Sequence, residues 1–152
     1  MPKNSLALIT RCLLILLFGA VIVGMVLSFF RLNVLFSLFP DQYSVKVGYK
    51  LFIRVFLLLA GAGALLIISD LIKMLRTVRN DPFVQKNVAA LGRMGFTALA
   101  VAALFFIKAA LFFTPMTAVS ALVMLMCGLF SLVLAGVFDQ AVKYKQENDL
   151  TI

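Results

Sequence analysis

Few residues in this chain are equipped for chemistry. Its six acids are Asp41, Asp70, Asp81, Asp139, Glu147 and Asp149, and it has no histidine. The usual proton shuttle at neutral pH and the commonest metal ligand are both missing. Asp70 and Asp139 each close an apolar stretch, and two carboxylates at one depth could activate a water as an aspartyl pair. Each has a cation close by, Lys73 and Lys143, and both stand at the boundary of an apolar stretch. Two local ion pairs are therefore the plainer reading. No nucleophile stands with a base, and no Gly-x-Ser-x-Gly, phosphate-loop or paired Cys-x-x-Cys pattern occurs. The first geometric requirement of an active site is unmet, so no enzyme, cofactor or metal is expected. A proton-coupled carrier would hold acids deep in the membrane, and none lies there.

The elements that carry these residues follow from composition. Of 152 residues, 64% are hydrophobic and 13% charged, and mean hydropathy is +1.12. Soluble domains average about 45–50% apolar and about 25% charged. Too little polar surface exists to coat a core in water, so lipid is the solvent for most of the chain. Four stretches can cross a hydrocarbon layer about 30 Å thick, which takes about 20 helical residues. They are residues 12–30, 51–69, 94–113 and 116–138. None alternates as a barrel strand would, and only helices satisfy their own backbone groups in lipid. The expectation is an all-α polytopic protein, residues 1–152 forming one antiparallel four-helix transmembrane domain. The first span, with 19 uncharged residues, exceeds a signal-peptide core and reads as a retained anchor.

Nine basic residues (Lys3, Arg11, Lys73, Arg76, Arg79, Lys86, Arg93, Lys143, Lys145) fall on one side and five (Arg31, Lys46, Lys50, Arg54, Lys108) on the other. The positive-inside tendency places both termini and the middle loop in the cytoplasm. The net charge of +8 is then a topology signal, and direct nucleic-acid binding is not expected, because no module for it is present.

The middle loop, residues 70–93, is the informative part. Charges at 70, 73, 76 and 79 alternate with apolar residues at helical spacing, so the second helix should continue about two turns past the membrane. Asp81 then reads as an N-cap and Pro82 as a first helical residue. Val84, Val88 and Leu91 make the next stretch amphipathic. A helical hairpin with one basic and one apolar face should stand in the cytoplasm. It would touch anionic headgroups, dock a cytoplasmic protein, or do both. The fourth helix should run to about Glu147, supported by Asp139 and Lys143 four apart. Leu150, Thr151 and Ile152 would clip against a partner or the hairpin. Thr114-Pro115 should cap the fourth helix and make a tight turn after the third. The loop from Arg31 to Lys50 carries the turn signal Pro40-Asp41 and enough apolar residues to lie on the membrane. Cys12 and Cys127 differ in depth by about 15 Å, too far for a disulfide. Gly19, Gly24, Ala60, Gly61, Gly63, Ala64, Ser131 and Ala135 permit close helix approach, within the bundle or in a homo-oligomer.

Two stretches, Asp81-Pro82-Phe83-Val84-Gln85-Lys86-Asn87-Val88 with Leu91-Gly92-Arg93-Met94-Gly95, and Phe138 to Lys143 with Glu147-Asn148-Asp149-Leu150-Thr151-Ile152, resemble a bacterial family. It is Domain of Unknown Function 2975, small four-helix membrane proteins with an Asn/Asp-Pro-Phe turn and an acidic-Leu-Thr-Val/Ile end. Its genes often stand beside a short helix-turn-helix regulator of the Cro/C1 type. The resemblance implies a bacterial cytoplasmic (inner) membrane protein, and a partner that restrains or informs such a regulator. The surface that would bind it is Arg76, Arg79, Asp81, Pro82, Phe83, Val84 and Val88 with Leu150, Thr151 and Ile152.

A second possibility lies at the other side. Arg54 and Lys108 are cations near helix ends and would ordinarily snorkel to the interface. Together they could instead hold an anionic lipid or other anionic ligand, making the protein a ligand-binding membrane protein or transport accessory.

Overall fold

The computed structural model describes residues 3–38, 48–78 and 84–150. The all-α expectation holds, and the helices are α1 (Lys3–Phe30), α2 (Leu32–Leu38), α3 (Tyr49–Val78), α4 (Gln85–Leu111) and α5 (Pro115–Leu150). Among the described residues, α1, α3, α4 and α5 are long and apolar enough to cross a membrane. α3 has 30 residues and α5 has 36. At about 1.5 Å per residue these helices reach about 45 and 54 Å, longer than hydrocarbon about 30 Å thick. The excess lies at one end: α3 continues past Ser69 to Val78 and α5 past Phe138 to Leu150. We call this the terminal end, because α1 also starts there, and the opposite one the turn end.

The membrane helices pack as a row, α1 on α3, α3 on α4 and α4 on α5. Small residues set the spacing. Gly95 of α4 and Gly128 of α5 lie back to back, and a Cβ on either would stand 3.1 Å from the carbonyl oxygen of the other. Leu132 and Leu99 close over the same crossing. Ser131 Oγ donates to Leu91 O at 2.8 Å, an interhelical hydrogen bond of the kind that joins helices in lipid. Gly63 of α3 lies against Val101 of α4, and Gly61 of α3 against Met25 of α1. Among the described residues nothing stands within 4 Å of a Cβ built on Gly19 or Gly24, so neither serves a close approach within the bundle.

At the turn end, Leu32, Tyr49, Ile53 and Phe56 form a buried cluster with Phe52, Phe105 and Phe112 packed against it. The Tyr49 and Phe112 rings meet edge to face at 4.8 Å, and Phe56 and Phe105 at 5.0 Å. α2 supplies Leu32, so the stretch after Arg31 begins as a helix anchored in the core instead of a plain surface loop. Its turn signal, Pro40-Asp41, lies outside the described residues. The chain enters α3 through Gly48 at φ 85°, a backbone region open to glycine at little cost.

Of the two expected helix starts, that of α5 is found where expected and that of α4 is not. Pro115 does open α5, but the Thr114 hydroxyl bonds the Thr117 hydroxyl. It is the Thr114 carbonyl that accepts from the Thr117 and Ala118 amides, at 2.9 and 3.2 Å. α4 starts at Gln85, not Pro82. Val84, the N-cap, is extended at φ −125°, ψ 145° with no side-chain cap bond, and an extended residue cannot lie in a helix begun at Pro82. Cys12 and Cys127 are both free and exposed.

Candidate docking end

Two carboxylates organise the terminal end, each bonding across a helix pair. Asp70 on α3 is 6% exposed. Arg93 on α4 grips it at two points, Nη2 to Oδ1 at 2.8 Å and Nε to Oδ2 at 3.2 Å. A planar guanidinium matches a carboxylate in this way, which fixes orientation as well as charge. Lys73, the expected local partner, is the outlying member at 3.7 Å. Asp139 on α5 is held by Lys143 at 2.7 Å, as the four-residue spacing predicts. It also accepts from Gln85 Nε2 at the start of α4, at 3.3 Å. Thus α3 is tied to α4 and α4 to α5 where the apolar spans end. Asn87, in the first turn of α4, is 1% exposed. Sequence reasoning missed Arg93, Gln85 and Asn87 as structural parts of this end. The available signal was position: Asp70 and Arg93 bound the same loop, one on each neighbouring helix.

Of the residues expected to bind a partner, Arg76 is exposed near the end of α3, and Val84 and Val88 are partly buried at the start of α4. Leu150 is the last residue of α5. Arg79, Asp81, Pro82, Phe83, Thr151 and Ile152 lie outside the described residues.

Two open grooves flank α3 at this level. One, of about 260 Å³, runs between α1 and α3 and is lined by Ile15, Phe18, Ser69, Ile72, Lys73 and Arg76. The other, of about 370 Å³, lies between α3 and α4 over the Asp70–Arg93 pair.

The turn end separates Arg54 from Lys108. Lys108 is 8% exposed; its Nζ donates to Thr117 Oγ1 at 2.8 Å and stands 5.8 Å from the centre of the Phe56 ring. It faces into the packed helices rather than outward. Seven residues are close to two helical turns, so Phe56 shares a face of α3 with Gly63, which meets α4, and Arg54 shares one with Gly61, which meets α1. The two cations therefore belong to different interfaces. Arg54 Nε and Ser28 Oγ are buried without a hydrogen-bond partner among the described residues.

A family model described as "Protein of unknown function (DUF2975)" matches residues 32–152, most of the chain. No curated protein and no solved structure matches it.

Proposed function

Because the chain belongs to the DUF2975 family, which is of unknown function, we propose its role from its own architecture: a non-enzymatic regulatory membrane partner. In this reading it sits in the bacterial cytoplasmic membrane with both termini inside. Its terminal end binds a cytoplasmic helix-turn-helix transcription regulator through the hairpin and the tail. The supporting observation is that α3 and α5 continue past the apolar spans while Asp70–Arg93 and Gln85–Asp139 tie them to α4. Helix ends joined in this way form a platform that holds its shape, so binding costs less ordering entropy than on a loose loop. The basic excess on this side supports the cytoplasmic orientation.

The test is affinity purification of the tagged full chain from native membranes. A small helix-turn-helix protein should come with it. It should be lost from Val84→Asp with Val88→Asp and from a chain lacking residues 150–152, while a Cys127→Ser control retains it. Absence of such a protein, or its retention by both altered chains, contradicts the proposal.

A second reading is favoured by Arg54 alone. An anionic ligand reaching its buried Nε would supply the acceptor that the described residues do not. Lys108, already bonded to Thr117 on another interface, would not share that ligand.

A further inference from the structure

The groove between α1 and α3 combines an apolar floor with a cationic rim. Ile15, Phe18 and Ile72 supply apolar surface, and Lys73 and Arg76 stand over it with Ser69. α1 and α3 run antiparallel, with Met25 against Gly61 near mid-span and Phe18 beside Ser69 further along. That register carries Arg11 to the level of Arg76. Arg11 is exposed and lies four residues before Ile15, on the same face of α1 one turn on. Two cations thus line the mouth of the groove, and the register brings Arg11 to their level on α1. Asp70 lines the other groove, where Arg93 holds it at two points and Lys73 stands 3.7 Å from it. Lys73 keeps its side chain 69% exposed.

The depth matters as much as the charge. Ser69 ends the apolar part of α3, so the cations stand at the headgroup level and the apolar floor runs into the hydrocarbon. An amphiphile with a phosphate at one end and an acyl chain at the other fits both halves at once. Basic pockets between membrane helices take anionic headgroups by this physics. A second copy of the chain fits poorly, because a two-fold contact sets the same patch against itself and would bring like charges together.

We propose that this groove binds an anionic diacyl phospholipid, with an acyl chain along Phe18, Ile15 and Ile72 and the phosphate against Lys73, Arg76 and Arg11. The site does not depend on which leaflet the terminal end faces, nor on any protein partner.

The chain has no tryptophan, so Phe18→Trp in the full chain places its sole tryptophan in the groove, where it can be excited selectively over the tyrosines. The protein is reconstituted in equimolar phosphatidylglycerol and phosphatidylcholine, with bromine on the acyl chains of one lipid or the other. Bromine quenches on contact, so the comparison reads which lipid occupies the groove. Phosphatidylglycerol should quench more strongly. Each of Arg11→Gln, Lys73→Gln and Arg76→Gln should weaken the preference, by up to about fivefold in relative affinity per cation. Arg31→Gln, at the turn end, should leave it unchanged. Equal quenching by the two lipids overturns the proposal, as does a preference that survives all three substitutions. Absence of quenching by either lipid also overturns it, because the groove is then covered by protein. The first comparison uses Phe18→Trp with every cation in place, so it does not depend on how the charge variants fold.

Discussion

Arg93 of α4 holds Asp70 of α3 in a two-point bond, with its shorter arm at 2.8 Å, while Lys73 on the same helix as Asp70 reaches only to 3.7 Å. The carboxylate is buried and the partner that spans two helices is also the closer one. Arg93→Ala should therefore lower the unfolding temperature of the detergent-solubilised chain more than Lys73→Ala. Arg93→Lys should recover only part, since an ammonium cannot reproduce the fork. Exchanging the pair, Asp70→Arg with Arg93→Asp, should recover more than either single change retains. Equal effects of Arg93→Ala and Lys73→Ala would show that the cross-helix bond adds nothing.

The back-to-back glycines of α4 and α5 leave no room for a side chain. Gly95→Val or Gly128→Val should destabilise the fold by about 1–3 kcal/mol, the usual cost of overpacking, as measured by reversible unfolding in mixed micelles. Gly19→Ala and Gly24→Ala meet open space on α1. They should be neutral or stabilising by up to about 1 kcal/mol, because alanine is the better helix residue. If these α1 changes cost as much as those at the crossing, α1 packs against something beyond its contacts with α2 and α3.

Lys108 and Thr117 should behave as a coupled pair. A hydrogen bond to a charged group contributes about 1.5–3 kcal/mol, so Thr117→Val should cost that order in the original chain. In a Lys108→Met background the same change should cost far less, and a double-mutant cycle measures the difference. Additive effects would mean that Lys108 Nζ gains nothing from the hydroxyl. If Lys108 served an anionic ligand instead, Lys108→Met would reduce ligand retention. The buried geometry predicts that it will not.

How far the sequence disclosed this arrangement depends on the kind of contact. Contacts set by spacing along one helix were legible: the Asp139–Lys143 pair, the extension of α3 past Ser69, and Pro115 at the start of α5. Contacts set by the rotation of one helix against another were not. Nothing in the order of residues says that Arg93 turns towards Asp70, that Gly95 meets Gly128, or that Arg54 and Lys108 face different neighbours. The start of α4 was misplaced because Asp81-Pro82 is a strong capping signal, whereas Val84, an ordinary β-branched residue, is the one found extended at the boundary.

The central claim is that the platform built from the ends of α3, α4 and α5 faces the cytoplasm, where a regulator could reach it. The most direct measurement is labelling by a membrane-impermeant maleimide in a Cys12→Ser, Cys127→Ser background, with one new cysteine at a time. Lys86→Cys, exposed in the first turn of α4, should react only after intact cells are permeabilised, and Arg31→Cys, exposed at the turn end, should react before. Labelling of Lys86→Cys on intact cells, with Arg31→Cys protected, would turn the platform to the outside and contradict the account.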